Sequence, residues 1–303
     1  MTETQEKARR HLPALKITPE LSELLCQALA EDVGSGDVTS LATIPVHQKG
    51  RGRIFAKQRG VVCGLAVARH VLRLADPKAR FEALVADGTA VEPGQDLARV
   101  SGSMRSILTA ERLMLNFLQR LSGVATLTRA YVDILRQAGS RAEVVDTRKT
   151  TPLWRILERQ AVRAGGGTNH RFALYDMYLI KNNHIDAAGG VGEALRRVAE
   201  HNRGKGRARL EVAVEARTLA EVREILAEGA DLILLDNMPP TLLRRALAEI
   251  GGRIRTEITG GVTPGRLKTL ATLAVDRFSV GALTHSAPSL DISLHVAGEG
   301  KNE

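Results

Sequence analysis

Residues 210–236 read LEVAVEARTLAEVREILAEGADLILLD, and this stretch decides the fold class. It holds two short apolar runs, and each ends in a carboxylate, the first at Glu215 and the second at Asp236. The segment between them is typical of a helix, because a capping box begins at Thr218 and Gly229 provides a stop. The stretch therefore predicts a strand–helix–strand unit with an acidic side chain at the carboxyl end of each strand.

The same rhythm extends in both directions, from about residue 140 to about residue 285. Apolar runs alternate with helical segments at Ala142–Val145, Met177–Ile180, Leu210–Val214, Leu232–Leu235, Arg255–Ile258 and Phe278–Val280. Because a polar residue or a glycine closes each run, the pattern predicts an α/β barrel whose active site lies at the carboxyl ends of its strands. Only about six strands are visible, so a complete eight-stranded barrel is not expected. An open parallel sheet is the alternative, but the first strand lacks the GxGxxG loop of a dinucleotide-binding fold.

The N-terminal third of the chain has a different pattern. Residues 50–100 are β-like and punctuated by glycine, with turns expected at Asp87-Gly88 and Pro93-Gly94. Apolar residues at helical spacing precede this region at Leu21–Leu29 and follow it at Leu108–Leu121. These elements predict a small α+β domain ahead of the barrel.

Composition limits the function without choosing it. The 303 residues carry a formal net charge of +9, and the pI near 9.9 is compatible with nucleic acid, anionic lipid or an anionic metabolite. Aromatic residues make up only 3%, which disfavours a protein that stacks single-stranded nucleic acid. Cys26 and Cys63 are too few for a disulfide framework or a zinc site. With no apolar run near the ~20 residues of a membrane span and no secretion signal, we expect a cytoplasmic protein that does not bind membranes.

Positive charge is concentrated in residues 146–184. Seven Lys or Arg against three Asp or Glu give this stretch a charge of +4, close to half of the net charge of the chain. Arg148 and Lys149 follow Asp146 at a predicted strand end. Taken alone, this pair is explained more simply as solvated cations or as a salt bridge with Asp146.

A second group of cations changes that interpretation. His170, Arg171 and Lys181 lie at or before the next predicted strand end, beyond the triplet Gly165–Gly167. Cations gathered at barrel strand ends predict a pocket for a small di- or trianion, since arginine matches carboxylate and phosphate geometry. We interpret the glycines as a helix terminator and as backbone that a ligand or the following His170-Arg171 can approach closely.

The two carboxylates at neighbouring strand ends suggest a metal. Glu215 and Asp236 can hold a divalent cation such as Mg²⁺, with waters and substrate oxygens completing its shell. They can instead pair with Lys149 or Lys181. Lysine pairing and metal binding can also both occur, one before and the other after substrate binds.

The last two strand ends suggest a phosphate site. Thr259-Gly260-Gly261 ends one strand, and Gly281 followed by Thr284-His285-Ser286 ends the other. In many barrels the loops after the last strands bind phosphate through backbone N–H groups. Arg266, in the helix between these strands, is interpreted as a solvated surface residue.

At these residues the chain resembles the quinolinate phosphoribosyltransferase family, also known as nicotinate-nucleotide pyrophosphorylase (carboxylating). The resemblance spans nearly the whole chain and is carried by an ordered series of motifs: EDVGSGDVTS (31–40), TAERLMLNFLQRLSGVAT (109–126), DTRKTTP, AGGGTNHR, LYDMYLIKNNHI, ILLDNM, TGGVT and SVGALTHSAPSLDISL. It implies an incomplete, six- to seven-stranded α/β barrel with a small N-terminal α/β sandwich domain. It also implies a homodimer as the minimal active unit, or a higher oligomer built from it.

The implied reaction joins quinolinate to 5-phosphoribosyl-1-pyrophosphate with Mg²⁺ and no organic cofactor, and releases pyrophosphate and CO₂ to give nicotinate mononucleotide in NAD biosynthesis. By resemblance, the quinolinate carboxylates are bound by Arg148, His170, Arg171, Lys181 and, from the partner subunit, the TAER arginine Arg112. The ribose, pyrophosphate and metal face Lys149, Glu215 and Asp236. The 5-phosphate is held by Thr259, Gly260, Gly281 and His285. Of these, Lys149, Glu215 and Asp236 are the expected catalytic residues.

The resemblance also divides the chain. We expect a flexible N-terminal arm at residues 1–20, the sandwich domain at 21–113, the barrel at 114–287 and a C-terminal segment at 288–303 that returns to the N-terminal domain. The chain departs from the family pattern at five positions, none of which removes an assigned site residue: Leu153 for glycine, Asn182 for aspartate, Ala213 and Arg217 for glutamate, and Thr259 for serine.

Two alternative functions remain open at this stage. One is a related phosphoribosyltransferase-like protein associated with molybdenum uptake, which the intact TNHR and LIKNNH segments disfavour. The other is a basic nucleic-acid-binding protein, which predicts cations along one exposed face and salt-dependent affinity for DNA. The location of the cations at strand ends disfavours it, so neither nucleic acid nor membrane is expected as a partner.

Overall fold

The structure, a computed structural model, describes residues 15–203 and 209–298. The predicted N-terminal arm therefore lies largely outside the described residues, as do the last five residues of the predicted C-terminal segment. Two compact units make up the chain. The first comprises the chain up to Arg129, the segment Ile156–Gly166 and the chain from Ala287 onward, and the second comprises Ala130–Arg155 and Gly167–Ser286.

The first unit is built on a four-stranded antiparallel sheet. Its elements in chain order are α1 (Pro19–Val33), α2 (Val38–Thr43), β1 (Lys49–Ala56), β2 (Gly60–Val61), α3 (Leu65–Ala75), β3 (Arg80–Ala83), β4 (Ala90–Val91), β5 (Asp96–Ser103) and α4 (Met104–Gln137), which continues into the second unit. Later in the chain it gains α5 (Arg155–Gly165) and β12 (Ile292–Gly298). The sheet order is β12-β1-β5-β3, and β2 pairs separately with β4. This confirms an N-terminal α/β domain.

The expectation of a continuous β-like pattern across residues 50–100 is wrong at α3. Its apolar residues, among them Leu65, Ala68 and Leu72, recur at helical spacing and are buried. The helix starts at a fixed point, because the Asp87 carboxylate accepts the backbone N–H groups of Gly64 and Leu65 at 3.1 and 3.2 Å. That acceptor comes from beyond the helix, so the sequence around α3 gives no local N-cap signal.

The glycine triplet ends a helix, as predicted, but the close approach it permits involves another helix. A Cβ at Gly165 would lie 2.4 Å from the backbone oxygen of Ala125 and 2.6 Å from Cβ of Thr128, both in α4. Gly165 therefore lets α5 pack directly on α4. Gly166 follows with φ of +95°, a left-handed conformation that ends the helix.

The second unit contains a six-stranded parallel sheet. Its elements are β6 (Glu143–Val145), β7 (Tyr178–Ile180), α6 (Asn182–Ala188), α7 (Val191–Arg203), β8 (Val212–Ala216), α8 (Leu219–Glu228), β9 (Leu232–Asp236), α9 (Pro240–Ile250), β10 (Arg255–Thr259), α10 (Pro264–Leu270), β11 (Arg277–Ser279) and α11 (Ala282–His285). The order β6-β11-β10-β9-β8-β7 follows the chain around a barrel and returns from the last strand to the first. Among the described residues the sheet does not close between β6 and β7, where a single parallel bridge joins Val145 to Thr168. The prediction of an incomplete α/β barrel is confirmed.

The helix signals of the barrel are also confirmed. The Thr218 side chain accepts the backbone N–H of Glu221 at 3.2 Å to open α8, and Gly229 follows its last residue. Proline at the first position opens α9, and Thr263 caps α10. No helix in the described part of the chain is long and apolar enough to cross a membrane.

Parallel strands bring their carboxyl ends to one edge of the sheet, and the polar residues of the sequence pattern lie there. Glu215 is the fourth of five residues in β8, while Asp236 and Thr259 are the last residues of β9 and β10. Beneath this edge a buried apolar cluster of Met177, Ala213, Leu232 and Leu234 fills part of the second unit. The fold therefore separates an apolar core from a polar rim.

Candidate active site

Strand register places the predicted site residues side by side. Asp236 lies opposite Thr259 in the β9–β10 ladder, and Glu215 lies opposite Leu234 in the β8–β9 ladder, two residues before Asp236. Three neighbouring strands thus contribute Glu215, Asp236 and Thr259 to one rim.

Asn182 joins the two carboxylates. Its backbone N–H donates to Oε2 of Glu215 at 2.9 Å, and its side-chain Nδ2 donates to Oδ2 of Asp236 at 3.2 Å. Sequence reasoning noted Asn182 only as a departure from the family pattern. Its position, directly after the strand-end residue Lys181, was the signal that it faces the site.

Lys181 supplies the positive charge nearest to Glu215. Its Nζ lies 3.3 Å from Oε1 of Glu215, and the lysine side chain is 48% exposed. The backbone N–H of Lys181 donates to Nδ1 of His184 at 2.9 Å at the start of α6. The predicted alternative, a carboxylate paired with lysine, is therefore realised between Glu215 and Lys181.

These residues fit a divalent cation that brings other ligands with it. The described residues contain no group of three or more His, Cys, Asp or Glu able to hold a metal by itself. They do offer hard oxygen donors, and Oδ1 of Asn182 is buried and accepts no hydrogen bond. One or two carboxylates with substrate oxygens and waters is the shell that Mg²⁺ prefers. Glu215 and Asp236, with Asn182 between them, match that donor set.

Asp146 organises the neighbouring loop. Its side chain is fully buried, Oδ1 accepts the backbone N–H of His170 at 2.8 Å, and Oδ2 accepts Nδ2 of Asn169 at 2.6 Å. These bonds fix the TNHR segment against the end of β6, because two donors from adjacent residues converge on one buried carboxylate.

Two guanidinium groups lie close together here. Arg171 is buried and donates from Nη1 to the backbone oxygen of Met177 at 3.3 Å. Burial lowers the pKa of Arg171, and the positive charge of Arg148 lowers it further, while Asp176 and Glu215 oppose the shift. Nε of Arg148 is also buried and has no hydrogen-bond partner among the described residues. A pair of like charges in this setting favours an anion between them.

Both ring nitrogens of His170 face protein groups. Nδ1 accepts the backbone N–H of Arg171 at 2.7 Å, and Nε2 lies 3.5 Å from Oε2 of Glu257. Glu257, a neighbour of the predicted site residue His170, was not identified from the sequence. Burial raises the pKa of Glu257 to about 7; the Ser279 hydroxyl and Arg277 counteract this, and Glu211 and Asp146 add to it.

One of the predicted phosphate loops, the loop after β11, contacts the loop after β6. A Cβ on Gly281 would lie 3.1 Å from Nε2 of His285 and 3.2 Å from Cδ of Lys149, so these three residues are neighbours. Oγ1 of Thr284 donates to the backbone oxygen of Lys149 at 2.8 Å and ties the loop after β6 to the loop after β11. Lys149 itself is exposed.

Gly260 and Arg266 shape the loop after β10. Gly260 has φ of +83°, and a Cβ there would lie 2.2 Å from Oδ1 of Asn237, so the position requires glycine. The interpretation of Arg266 as a solvated surface residue is wrong. Its Nη1 donates to the backbone oxygen of Gly260 at 2.5 Å, and its Nη2 donates to that of Met238 at 2.9 Å, so it clamps two strand-end loops together.

Leu153 lies in the loop after β6. It has φ of +66° and is 80% exposed, a conformation that strains a leucine and suits the glycine expected there. Arg155 holds this loop by donating from Nε to Oγ1 of Thr150 and from Nη1 to the backbone oxygen of Phe172, at 3.1 and 3.0 Å.

The remaining predicted site residue, Arg112, belongs to the first unit. It is exposed on α4, where Leu113, Met114 and Leu115 follow it into the core of that unit. Within the second unit the structure thus brings together residues from six strand ends, those of β6 to β11, and Arg112 lies on the surface of helix α4 in the first unit.

Comparison with known proteins bears on the whole chain. The family description "Quinolinate phosphoribosyl transferase, N-terminal domain" matches residues 37–122, and its "C-terminal domain" counterpart matches residues 124–295. "Quinolinate phosphoribosyltransferase [decarboxylating] 2a, mitochondrial" from Nicotiana tabacum is 40% identical, over 95% of this chain and 85% of the relative. A "Probable nicotinate-nucleotide pyrophosphorylase [carboxylating]" from Bacillus subtilis is also 40% identical, over 91% of this chain and 93% of the relative. The crystal structure of NadC from Streptococcus pyogenes superposes with a TM-score of 0.88 at 40% identity, covering 94% of this chain and 99% of that one.

Proposed function

The chain belongs to the quinolinate phosphoribosyltransferase family, and we propose that it performs the reaction for which its relatives are named. In that reaction the phosphoribosyl group of 5-phosphoribosyl-1-pyrophosphate passes to quinolinate with loss of CO₂, and nicotinate mononucleotide and pyrophosphate are formed as a step of NAD biosynthesis. The observation that carries the proposal is the side-by-side placement of a cationic pocket around Arg148 and Arg171 and the carboxylate pair Glu215 and Asp236.

Quinolinate is a dianion whose two carboxylates are neighbours on one ring, and the cationic pocket matches it. Burial and, after it, the charge of Arg148 lower the pKa of Arg171, and a dianion between the two guanidinium groups relieves their repulsion. Planar guanidinium groups bind carboxylates with two parallel hydrogen bonds. Lys181 stands at the edge of the same pocket, and His170 forms part of its wall.

The phosphoribosyl donor occupies the rim next to this pocket. Lys149, Gly281 and His285 form one cluster, and Thr259 with Gly260 forms the next loop along the sheet. Backbone N–H groups in such loops bind phosphate without a charged side chain. Lys149 is exposed and long enough to reach the pyrophosphate as a mobile point charge.

The chemistry follows from charge. When the bond between ribose C1 and the pyrophosphate oxygen breaks, positive charge develops on the ribose, and the carboxylates of Glu215 and Asp236 stabilise it. The pyridine nitrogen forms the new bond to C1 and leaves the ring cationic. The bond to the adjacent carboxylate then breaks, its electron pair enters the cationic ring, CO₂ departs and a proton takes its place. Glu215 and Asp236 would hold Mg²⁺, which would supply positive charge to balance that of the leaving pyrophosphate.

We assign Arg112 to the active site of a partner subunit in a homodimer. The residue is exposed on α4, in a unit separate from the strand ends that carry the other site residues. An isologous dimer would place both copies of Arg112 symmetrically, one at each site. We further propose that the enzyme acts in the cytoplasm.

The direct test is incubation with quinolinate, 5-phosphoribosyl-1-pyrophosphate and Mg²⁺, followed by chromatography of the products. We expect nicotinate mononucleotide, pyrophosphate and CO₂ in equal amounts. Use of nicotinic acid in place of quinolinate, with no release of CO₂, would overturn the substrate assignment. Glu215→Ala or Asp236→Ala with unchanged turnover would overturn the role of the carboxylates.

A further inference from the structure

Glu257 is a charged residue built into the interior of the second unit. It lies in β10 two residues before Thr259, so its side chain points to the same face of the sheet as that rim residue. Its neighbour in the β9 ladder is the core residue Leu234, and its side chain is fully buried. Burying a carboxylate at such a place costs free energy of folding unless other groups interact with it.

The partner of Glu257 comes from the anion pocket. Nε2 of His170, whose side chain is 7% exposed, lies 3.5 Å from Oε2 of Glu257. Because Nδ1 of the same ring accepts the backbone N–H of Arg171, the ring proton resides on Nε2. Nε2 is buried and makes an electrostatic contact with Oε2 of Glu257, with no hydrogen bond between the two atoms. An imidazolium ring would carry a second proton on Nδ1, where it would meet the donated N–H of Arg171. The geometry thus selects a neutral His170.

We propose that Glu257 is a positioning residue, which holds His170 as the neutral Nε2–H tautomer and thereby fixes the backbone of Arg171 in the quinolinate pocket. Glu257 does not touch the substrate in this arrangement. It acts through the His170 ring, whose other nitrogen binds the Arg171 N–H. Two further hydrogen bonds complete the frame: the His170 backbone N–H donates to Asp146, and the Arg171 side chain donates to the backbone oxygen of Met177.

The charges around Glu257 predict a pH-dependent consequence. His170 lies 3.5 Å from the Glu257 carboxylate, and Leu234 is its apolar neighbour in the β9 ladder. The Ser279 hydroxyl and the charges of Arg277, Glu211 and Asp146 also act on the carboxylate. Burial raises the pKa of Glu257 to about 7, so the carboxyl group titrates near neutral pH. A bound dianion beside His170 adds negative charge and raises this pKa further. Quinolinate binding therefore takes up a proton.

The sign of the effect follows from linkage. Below pH 7 Glu257 is protonated both with and without ligand, so the dissociation constant of quinolinate does not change with pH. Above pH 7 the free protein loses the proton that the complex retains, and the dissociation constant rises by up to about tenfold per pH unit. Glu257→Gln mimics the protonated acid in shape and charge, so its dissociation constant stays flat through this range.

The inference rests on the proposed function only for the identity of the ligand, and its experiment has one arm that needs no ligand. In that arm, ¹⁵N spectra of histidine-labelled protein, assigned with His170→Gln, report the tautomer of His170. We expect the neutral Nε2–H form in the wild type and in Glu257→Gln, and a loss of that single form in Glu257→Leu. A wild-type imidazolium, or the Nδ1–H tautomer, overturns the proposal.

In the second arm, calorimetry with quinolinate alone gives the dissociation constant from pH 6 to 8.5. Ser279→Ala removes a hydroxyl that lowers the pKa of Glu257, so its profile should move to higher pH. Glu249→Gln, at a half-buried residue of α9 that pairs with Arg223, should keep the wild-type profile. Identical profiles for the wild type and Glu257→Gln overturn the role of Glu257. Absence of quinolinate binding by the wild type, with the Nε2–H tautomer intact, overturns the proposed substrate instead.

Discussion

Nδ2 of Asn182 donates to Oδ2 of Asp236 at 3.2 Å, in a chain whose relatives are expected to carry aspartate at this position. The backbone N–H of the same residue donates to Glu215. An amide therefore bridges the two carboxylates of the rim where a third carboxylate would repel them. This one substitution sets the charge of the proposed metal site.

Asn182→Asp should tighten the binding of a divalent cation in the absence of substrate. The change removes a donor and adds a negative charge next to Glu215 and Asp236, and we expect the dissociation constant for Mn²⁺ to fall by about tenfold. Electron paramagnetic resonance of free Mn²⁺ measures this directly. Asn183→Asp, one residue further along and exposed, is the matched control. Equal effects at both positions would show that only the overall charge matters.

Gly260→Ala should weaken the binding of 5-phosphoribosyl-1-pyrophosphate. The new methyl group would lie 2.2 Å from Oδ1 of Asn237, and φ of +83° is unfavourable for alanine. We expect KM for 5-phosphoribosyl-1-pyrophosphate to rise at least about tenfold, because the loop must move by several tenths of an ångström. Gly265→Ala is the control, since nothing lies within 4 Å of its added Cβ. Wild-type kinetics for Gly260→Ala would show that Gly260 does not contribute to phosphate binding.

Arg266→Met should loosen the same loop from outside. The change removes the guanidinium hydrogen bonds to the backbone oxygens of Gly260 and Met238. We therefore expect KM for the phosphoribosyl donor to rise about three- to tenfold, with a smaller change in kcat. Lys268→Met, exposed on the same helix α10, should be neutral. A change in kcat alone would place Arg266 in the chemical step and not in loop positioning.

Local sequence pattern predicted the rim but not the interactions beneath it. Glu215, Asp236 and Thr259 were found because each ends an apolar run, a signal contained within a few residues. Glu257 lies inside such a run, and its partner His170 is distant in the chain, so no local pattern marks the pair. Arg266 was misread for a related reason, because its two acceptors are backbone oxygens that carry no sequence signal. The helix α3 was missed because its cap, Asp87, follows it in the chain.

Leu153→Gly should stabilise the protein. Leucine at φ of +66° carries a backbone strain of roughly 1–2 kcal/mol, while glycine costs about 0.5–1 kcal/mol of unfolded-state entropy, so a net gain of up to about 1.5 kcal/mol is expected. Urea unfolding of the wild type and the variant measures it. Leu174→Gly, also an exposed leucine but with ordinary φ, should be destabilising. Destabilisation by both changes to the same extent would mean that the Leu153 side chain makes compensating contacts.

Mixing two inactive variants tests whether the active site is shared between subunits. If Arg112 acts in the site of the partner, Arg112→Ala and Lys181→Ala each inactivate both sites of their own homodimer. A mixed dimer has one site with both defects and one site with neither, because Arg112 is drawn from one chain and Lys181 from the other. Random reassociation makes half of the dimers mixed, so about a quarter of wild-type activity should return. Refolding each variant alone is the control for subunit exchange. If Arg112 acts within its own subunit, both sites of the mixed dimer stay defective and no activity returns.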